Sequence, residues 1–191
     1  MKQLCNNAIL CNGKYKIERV LGQGGFGITY LAKQKVSVAG ALGTIDAEIE
    51  VTIKEFFMKE LCNRDEASSM VTVPSTGSAE LVEKFRQKFI KEAKNISKLT
   101  HPYIIKVLDV FEENGTAYYV MEYIDGGSLS DLIEKNGSLS EEETLKYTRQ
   151  IASALQYIHA HNMNHLDVKP GNVLLRQNGD VVLIDFGMSK N

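Results

Sequence analysis

Tryptophan is missing from the 191 residues, and proline and cysteine each occur only three times. The cysteines, Cys5, Cys11 and Cys62, show no C-x-x-C spacing and no histidine partners at zinc spacing. That excludes a disulfide framework or zinc module and reads as reduced thiols of a cytoplasmic protein. An excess of one charge is lacking as well. Twenty-two Lys and Arg stand against 24 Asp and Glu, a net charge of −2, so no basic surface points to nucleic acid or an anionic membrane. No apolar run is long enough to cross a bilayer, and the N-terminus lacks the basic-then-apolar order of a signal peptide. Neither a repeat nor a low-complexity tract is present. What remains is a chain that is 43% hydrophobic, enough for a packed core, in a length that suits one large domain or two small lobes.

Taken in order, residues 1–14 carry little pattern and are expected to form an irregular lead-in. Tyr15 to Leu21 alternates apolar and polar with mixed faces, a strand signal. Gly22-Gln23-Gly24-Gly25-Phe26-Gly27 follows, then a second strand from Ile28 to Lys33, so the glycines form a hairpin turn rather than the strand-to-helix crossing of a dinucleotide fold. Val36 to Ala47 is small and Gly-rich and reads as a loop with at most short strands. Glu48 to Phe57 reads as a third strand, and Lys59 to Gly77 as a polar connector. Ser78 is placed to cap a helix, or two, running to Leu99, with Val82, Phe85, Phe89, Ala93 and Ile96 on one face. His101-Pro102 ends it. Ile104 to Phe111 and Thr116 to Tyr123 are strands around the Asn114-Gly115 turn.

Gly126-Gly127 marks a composition break, and the lobes are divided as 1–124 and 125–191. Ser128 is placed to cap a short helix through Leu129, Leu132 and Ile133. Ser140 with Glu143 forms a capping box that opens a helix to His159, with Leu145, Ile151, Leu155 and Ile158 expected inward.

Most of the chemistry lies near the end of the chain. His165-Leu166-Asp167-Val168-Lys169-Pro170-Gly171-Asn172 precedes the apolar run Val173–Leu175. The turn Asn178-Gly179 and the run Val181–Ile184 follow, then Asp185-Phe186-Gly187. An antiparallel hairpin folds its outer ends together, which brings Asp167, Lys169 and Asn172 towards Asp185. Two carboxylates, an amide and an ammonium suit Mg²⁺ on oxygen ligands, a phosphate beside it, and a base aimed at a hydroxyl. Turn chemistry alone rarely assembles four such groups. His165 reads as a core or backbone-holding residue. Other signals leave alternatives open. The glycine turn is either an ordinary hairpin or a phosphate cradle whose missing Cβ atoms bare the backbone N–H groups, with Phe26 shielding the phosphates from water. Lys54 is either a solvated strand lysine or a phosphate ligand. Glu92 is either its ion-pair partner or part of a charged helix face with Lys88 and Lys91.

Together these motifs resemble the eukaryotic-type protein kinase family, in order from Tyr15 to Lys190. Lys169-Pro170 resembles the serine/threonine branch, in a bacterial style. The resemblance implies an α+β bilobal fold, an N-lobe antiparallel sheet with one main helix and an incomplete, mainly helical C-lobe. It implies ATP and Mg²⁺ as cofactors and a protein Ser/Thr hydroxyl as substrate. Asp167 would take the hydroxyl proton and Lys169 would steady the γ-phosphate. Asn172 and Asp185 would hold Mg²⁺, and Lys54 with Glu92 would hold the α- and β-phosphates. Nucleotide would further touch Gly22, Gln23, Gly24, Gly25, Phe26 and Gly27, then Met121, Glu122, Ile124, Ser128 and Leu174. Ile96, Val107, His165 and Phe186 would stack as an internal spine. Leu166 stands where the family usually has arginine, and Thr29 and Thr52 where it has Val and Ala over the adenine. Ending soon after Gly187, the chain resembles a kinase truncated before its activation segment. Impaired transfer, self-association through an exposed C-lobe surface, and a non-catalytic ATP-binding module are the accompanying expectations.

Overall fold

The computed structural model describes residues 2–40 and 43–186. It divides into two compact units, Met1–Lys94 with Val107–Tyr123, and Asn95–Lys106 with Ile124–Asn191.

The first unit is built on one six-stranded sheet. In chain order the strands are β1 (Ile9–Leu10), β2 (Tyr15–Gln23), β3 (Gly27–Gly40), β4 (Gly43–Phe56), β7 (Val107–Glu113) and β8 (Thr116–Glu122). Their spatial order is β1-β2-β3-β4-β8-β7, and every neighbouring pair is antiparallel. The mixed faces of β2 have a cause: its register with β3 shifts between Ile17 and Arg19 and again between Val20 and Gly22, and each bulge resets the alternation. Tyr15 and Ile17 are buried while Arg19 and Leu21 are exposed. The lead-in is less irregular than expected, since Leu4 is buried and β1 pairs with β2.

Val36–Gly40 and Gly43–Ala47 are strand, not loop. β3 and β4 run as a continuous 14-residue pair in which Val36 faces Ala47 and Val38 faces Ile45. Cross-strand pairs share a face, so the ribbon carries Val36, Val38, Ile45, Ala47 and Ile49 on one side. Ser37, Asp46 and Glu48 lie on the other, with Ser37 hydrogen-bonded to Asp46 at 2.7 Å. The β-branched alternation outweighs the small residues, and the glycines Gly40 and Gly43 sit only at the turn end.

Helix α1 (Thr76–Ile96) is single and starts two residues before Ser78; the Ser78 N–H donates to the Ser75 carbonyl at 3.1 Å. Val82, Phe89, Ala93 and Ile96 are buried, and the Phe89 ring lies 5.7 Å from Phe56 and 5.0 Å from Tyr119. The connector before it holds a small hairpin, β5 (Asn63–Arg64) and β6 (Val71–Thr72). Its purpose is a buried charge pair. Arg64 Nη2 donates to Glu55 Oε1 at 2.6 Å, the side chains being 2% and 0% exposed. Tyr118 and Tyr30 donate to the same carboxylate at 2.8 and 2.7 Å. Burial, then Glu55, pushes both phenol pKa values up, so both remain donors. Burial works against the Arg64 charge, and Glu55 more than offsets it.

The second unit contains α2 (Leu129–Asn136), α3 (Glu141–Ala160), a 3-10 turn at Pro170–Asn172, and the hairpin β9 (Val173–Leu175) with β10 (Val181–Leu183). Both long helices open on complete capping boxes, Ser128 with Asp131 and Ser140 with Glu143. The inward stripe of α3 differs from expectation. Tyr147, Gln150, Ala154 and Ile158 are buried, Ile151 and Leu155 are half-buried, and Leu145 is 47% exposed. Gln150 goes inward because the hairpin offers polar partners: its amide donates to Asp180 at 2.7 Å and accepts from the Val181 N–H at 3.0 Å. Residues 95–106, placed with the first lobe by sequence, group with this unit. Their backbone continues the hairpin: Leu183 donates to the Tyr103 carbonyl at 2.8 Å and Ile105 to the Leu183 carbonyl at 3.0 Å. Ile104 accordingly bridges Leu183 in parallel rather than starting β7. Gly126 lies against β9, where an added Cβ would meet the Leu175 carbonyl oxygen at 2.1 Å.

Candidate active site

In the first unit the glycine segment begins as strand. Gly22 pairs with Thr29 and Gln23 with Ile28, so the turn itself is confined to Gly24–Phe26 and closed by the Gly24 N–H to the Gly27 carbonyl at 2.9 Å. Gly22 and Gly25 have nothing within 4 Å of a would-be Cβ, so that side of each residue is open. At Gly27 a Cβ would meet the Glu55 carbonyl oxygen at 2.8 Å and Lys54 Cε at 3.7 Å. The Lys54 side chain therefore runs beneath the end of the glycine segment. Its ammonium is 6.0 Å from the Tyr119 ring centre. Phe26, at the tip of the turn, is 37% exposed and has its ring 5.5 Å from Phe85 of α1.

Glu92 is half-buried on α1, about one turn from its C-terminal end, and Lys54 is half-buried too. Thr29 pairs with Lys54 and Thr52 with Met121 across the sheet. Among the described residues no buried side-chain nitrogen or oxygen lacks a hydrogen-bond partner, so Thr52 brings no such cost. Met121 is buried and Glu122 half-buried at the end of β8.

The second unit carries the acid–base set. Asn172 is the keystone: its amide Nδ2 donates to both the carbonyl and the Oδ2 of Asp167 at 2.9 Å. Its donors being spent there, the Asn172 amide oxygen is the atom with ligating capacity. Lys169 Nζ stands 3.0 Å from Asp167 Oδ2. The Asp185 neighbour Ile184 donates its N–H to the Asn172 carbonyl at 3.0 Å, which ties the metal-binding candidate to the loop bearing Asp167. Asp185 has φ 55° and Leu166 φ 66°, left-handed conformations that cost energy for residues with a Cβ. The Lys169 ammonium, then Asn172, holds the Asp167 carboxyl below the usual carboxylate range. Ile124 is half-buried, and Leu174 bridges Ser128 in antiparallel fashion. The Ser128 hydroxyl accepts the Asp131 N–H at 3.1 Å and so serves the helix cap. Gly187 lies outside the described residues.

His165 ties this loop to the end of the hairpin. It is 1% exposed, its ring is 4.8 Å from Phe186, and Nε2 lies 2.7 Å from the Ile184 carbonyl. Nδ1 accepts the Asp167 N–H at 3.3 Å. Only the neutral Nε2–H tautomer satisfies both partners. Burial pushes the imidazole pKa down, while Ile184, Asp167 and Asp185 pull it up by less. Both carboxylates thus act on one ring. His101 is also held down by burial. Stability from these neutral histidines is fully present above the free value of 6.5 and is lost as pH falls towards their depressed folded values. Melting temperature is expected to decline from pH 7 to 5, and the decline should be shallower in His165→Phe. An unchanged slope would contradict the neutral assignment.

Sequence reasoning missed Glu55 and Arg64. Glu55 lay inside the third strand and Arg64 in a stretch read as connector; in the structure Glu55 pairs with Tyr118, and Tyr30 lies two residues from its other partner, Ile28.

Comparison with known proteins agrees with this geometry. The "Serine/threonine-protein kinase PrkC" of Bacillus subtilis (strain 168) is 32% identical over 178 residues, 93% of this chain and 23% of that protein. The "Probable serine/threonine-protein kinase MARK-C" of Dictyostelium discoideum is 34% identical over 188 residues, 97% of this chain and 20% of its own length. The "Serine/threonine-protein kinase B" of Synechocystis sp. (strain ATCC 27184 / PCC 6803 / Kazusa) is 30% identical over 191 residues, 99% of this chain and 29% of its own. The chain thus spans less than a third of the length of these relatives. A solved structure, "PpkA-294 apo form", superposes with TM-score 0.84 at 25% identity, covering 98% of this chain and 63% of that one. The model of the "Protein kinase domain" family matches residues 15–191, and the chain belongs to that family.

Proposed function

We propose that this chain binds MgATP and transfers the γ-phosphoryl group to a serine or threonine hydroxyl of a protein. The observation that carries this is the cluster in the second unit, where Asn172 holds the Asp167 carboxylate at 2.9 Å and its own carbonyl anchors the residue before Asp185. The donors fit the cofactors. Asp185 and the Asn172 amide oxygen offer a sparse, hard oxygen set, the kind that leaves Mg²⁺ positions for phosphates and water. The open Cβ sides of Gly22 and Gly25 and the Lys54 stem beneath Gly27 fit a phosphate chain.

The residues then take these roles. Asp167 orients the attacking hydroxyl and accepts its proton at Oδ. Lys169 steadies the γ-phosphate. Lys54, held by Glu92, binds the α- and β-phosphates. Asn172 and Asp185 hold the metal, which when bound neutralises charge on the phosphates. Backbone at Glu122, with Met121, is assigned to the adenine in the first unit, and Ile124 and Leu174 carry the same assignment in the second. The relatives' names support the Ser/Thr class, and three free cysteines support a reducing, cytoplasmic setting. Among the described residues no helix is long and apolar enough to cross a membrane.

The test joins binding to transfer. MgATP at about a hundredfold excess over its Kd is expected to stabilise by about 2.7 kcal/mol, a melting rise on the order of 5–10 °C. Labelled γ-phosphate should appear on protein serine or threonine. Binding without transfer would instead mark a non-catalytic nucleotide module, and no melting rise would sink the nucleotide reading.

A further inference from the structure

The buried Glu55–Arg64 pair lies one residue from Lys54, on the opposite face of β4. Alternation along a strand makes this placement informative. Lys54 projects beneath Gly27, and Glu55 projects into a sealed pocket where two phenols and a guanidinium donate to it. Arg64 uses its other donors on backbone: Nε to the Lys2 carbonyl at 2.9 Å and Nη1 to the Ser69 carbonyl at 2.8 Å. Its guanidinium also stands 5.4 Å from the Phe57 ring. One arginine therefore fixes the N-terminal segment, the connector and the residue that leaves β4.

That exit segment holds the glycine turn. Beyond the last ladder pair, Gly27 with Phe56, the Phe57 N–H donates to the Phe26 carbonyl and the Lys59 N–H to the Gly25 carbonyl, both at 3.1 Å. The Lys2 ammonium bonds the Lys59 carbonyl, closing the strap from its other side. The turn that would meet the phosphates is thus tethered through residues 57–59 to the buried pair.

We propose that Glu55 and Arg64 are positioning residues that pin the glycine turn above Lys54 through the strap 57–59. The inference rests on the nucleotide reading above for its consequence, but the pinning itself does not. A pinned turn serves phosphates and leaves adenine recognition untouched, so the pair should act on ATP and not on adenosine.

The double variant Glu55→Met, Arg64→Met replaces the pair by apolar side chains, a change that proteins often tolerate when single removals are not tolerated. Amide exchange at Phe57 and Lys59 is expected to accelerate. Affinity for MgATP should fall by about tenfold or more, since small misplacements of positioning groups are costly, while adenosine affinity stays at the wild-type value. Parallel losses for both ligands, or no loss for either, would overturn the proposal. Should wild type bind neither ligand, the nucleotide reading fails, and amide exchange alone decides the pinning: unchanged exchange at 57–59 refutes it. If the double variant does not melt cooperatively, Arg64→Lys takes its place, keeping the charge and losing the fork, with the same outcomes read the same way.

Discussion

Asp167→Asn is expected to reduce phosphoryl transfer by about 10²–10⁴-fold, the usual contribution of a positioned general base, with MgATP affinity unchanged. The substitution preserves shape. An asparagine oxygen still accepts from the Asn172 amide, which donates to Asp167 at 2.9 Å in the wild type. It removes the proton acceptor and the charge that faces Lys169 at 3.0 Å. Rate and affinity therefore separate, the signature of a group used in the transition state and not in ground-state binding. The Lys169 ammonium keeps the Asp167 carboxyl below its ordinary value of 3.8, so the carboxylate is present at any pH above that and is protonated only as pH falls through the depressed value. No acid limb from Asp167 should appear near neutrality. Lys169→Met should move that limb upward and lower the rate as well. Steady-state kinetics with titrated ATP checks both. Equal losses in rate and affinity would reassign Asp167 to binding.

Arg64→Met is expected to be among the most damaging substitutions in the first unit, costing about 3–5 kcal/mol, because it strands a buried carboxylate. Such a loss consumes a large part of the 5–15 kcal/mol that typical domains possess. Glu55 is fully buried, and the Tyr30 and Tyr118 hydroxyls replace only part of what the guanidinium supplies. Pairing the change with Glu55→Met should regain part of the stability, since both charges then leave together although the Tyr30 and Tyr118 hydroxyls lose their acceptor. Chemical denaturation of the two variants measures the difference. Equal stability of single and double variants would mean that the pair is not coupled.

Much of the site was legible because its chemistry is local. Asp167, Lys169 and Asn172 lie within six residues, and the Asn178-Gly179 turn announces the hairpin that carries Asp185 back to them. The hairpin formed with Val173 facing Leu183, as the two apolar runs imply. Helix caps were equally readable, since Ser128 and Ser140 each act within four residues. What sequence concealed depends on partners far along the chain. Gln150 is buried only because Asp180 and Val181 meet it across 30 and 31 residues. The Phe26 ring meets Phe85 of α1, a contact 59 residues along the chain. The 36–47 ribbon was hidden by its composition: valines and isoleucines alternate there, yet the apolar face is exposed, so no core requirement marked it as strand. Residues 95–106 changed allegiance because their backbone completes the β10 edge, an interaction with no side-chain signature.

Asn172 and Asp185 are proposed to serve one metal beside the Asp167 carboxylate. Mn²⁺ substituted for Mg²⁺ gives a direct reading by electron paramagnetic resonance of the ATP complex. The wild-type chain should immobilise Mn²⁺ only when ATP is present, and Asp185→Asn and Asn172→Ala should each release the metal to solution while the fold stays intact. Retention of the wild-type spectrum in both variants would contradict the account.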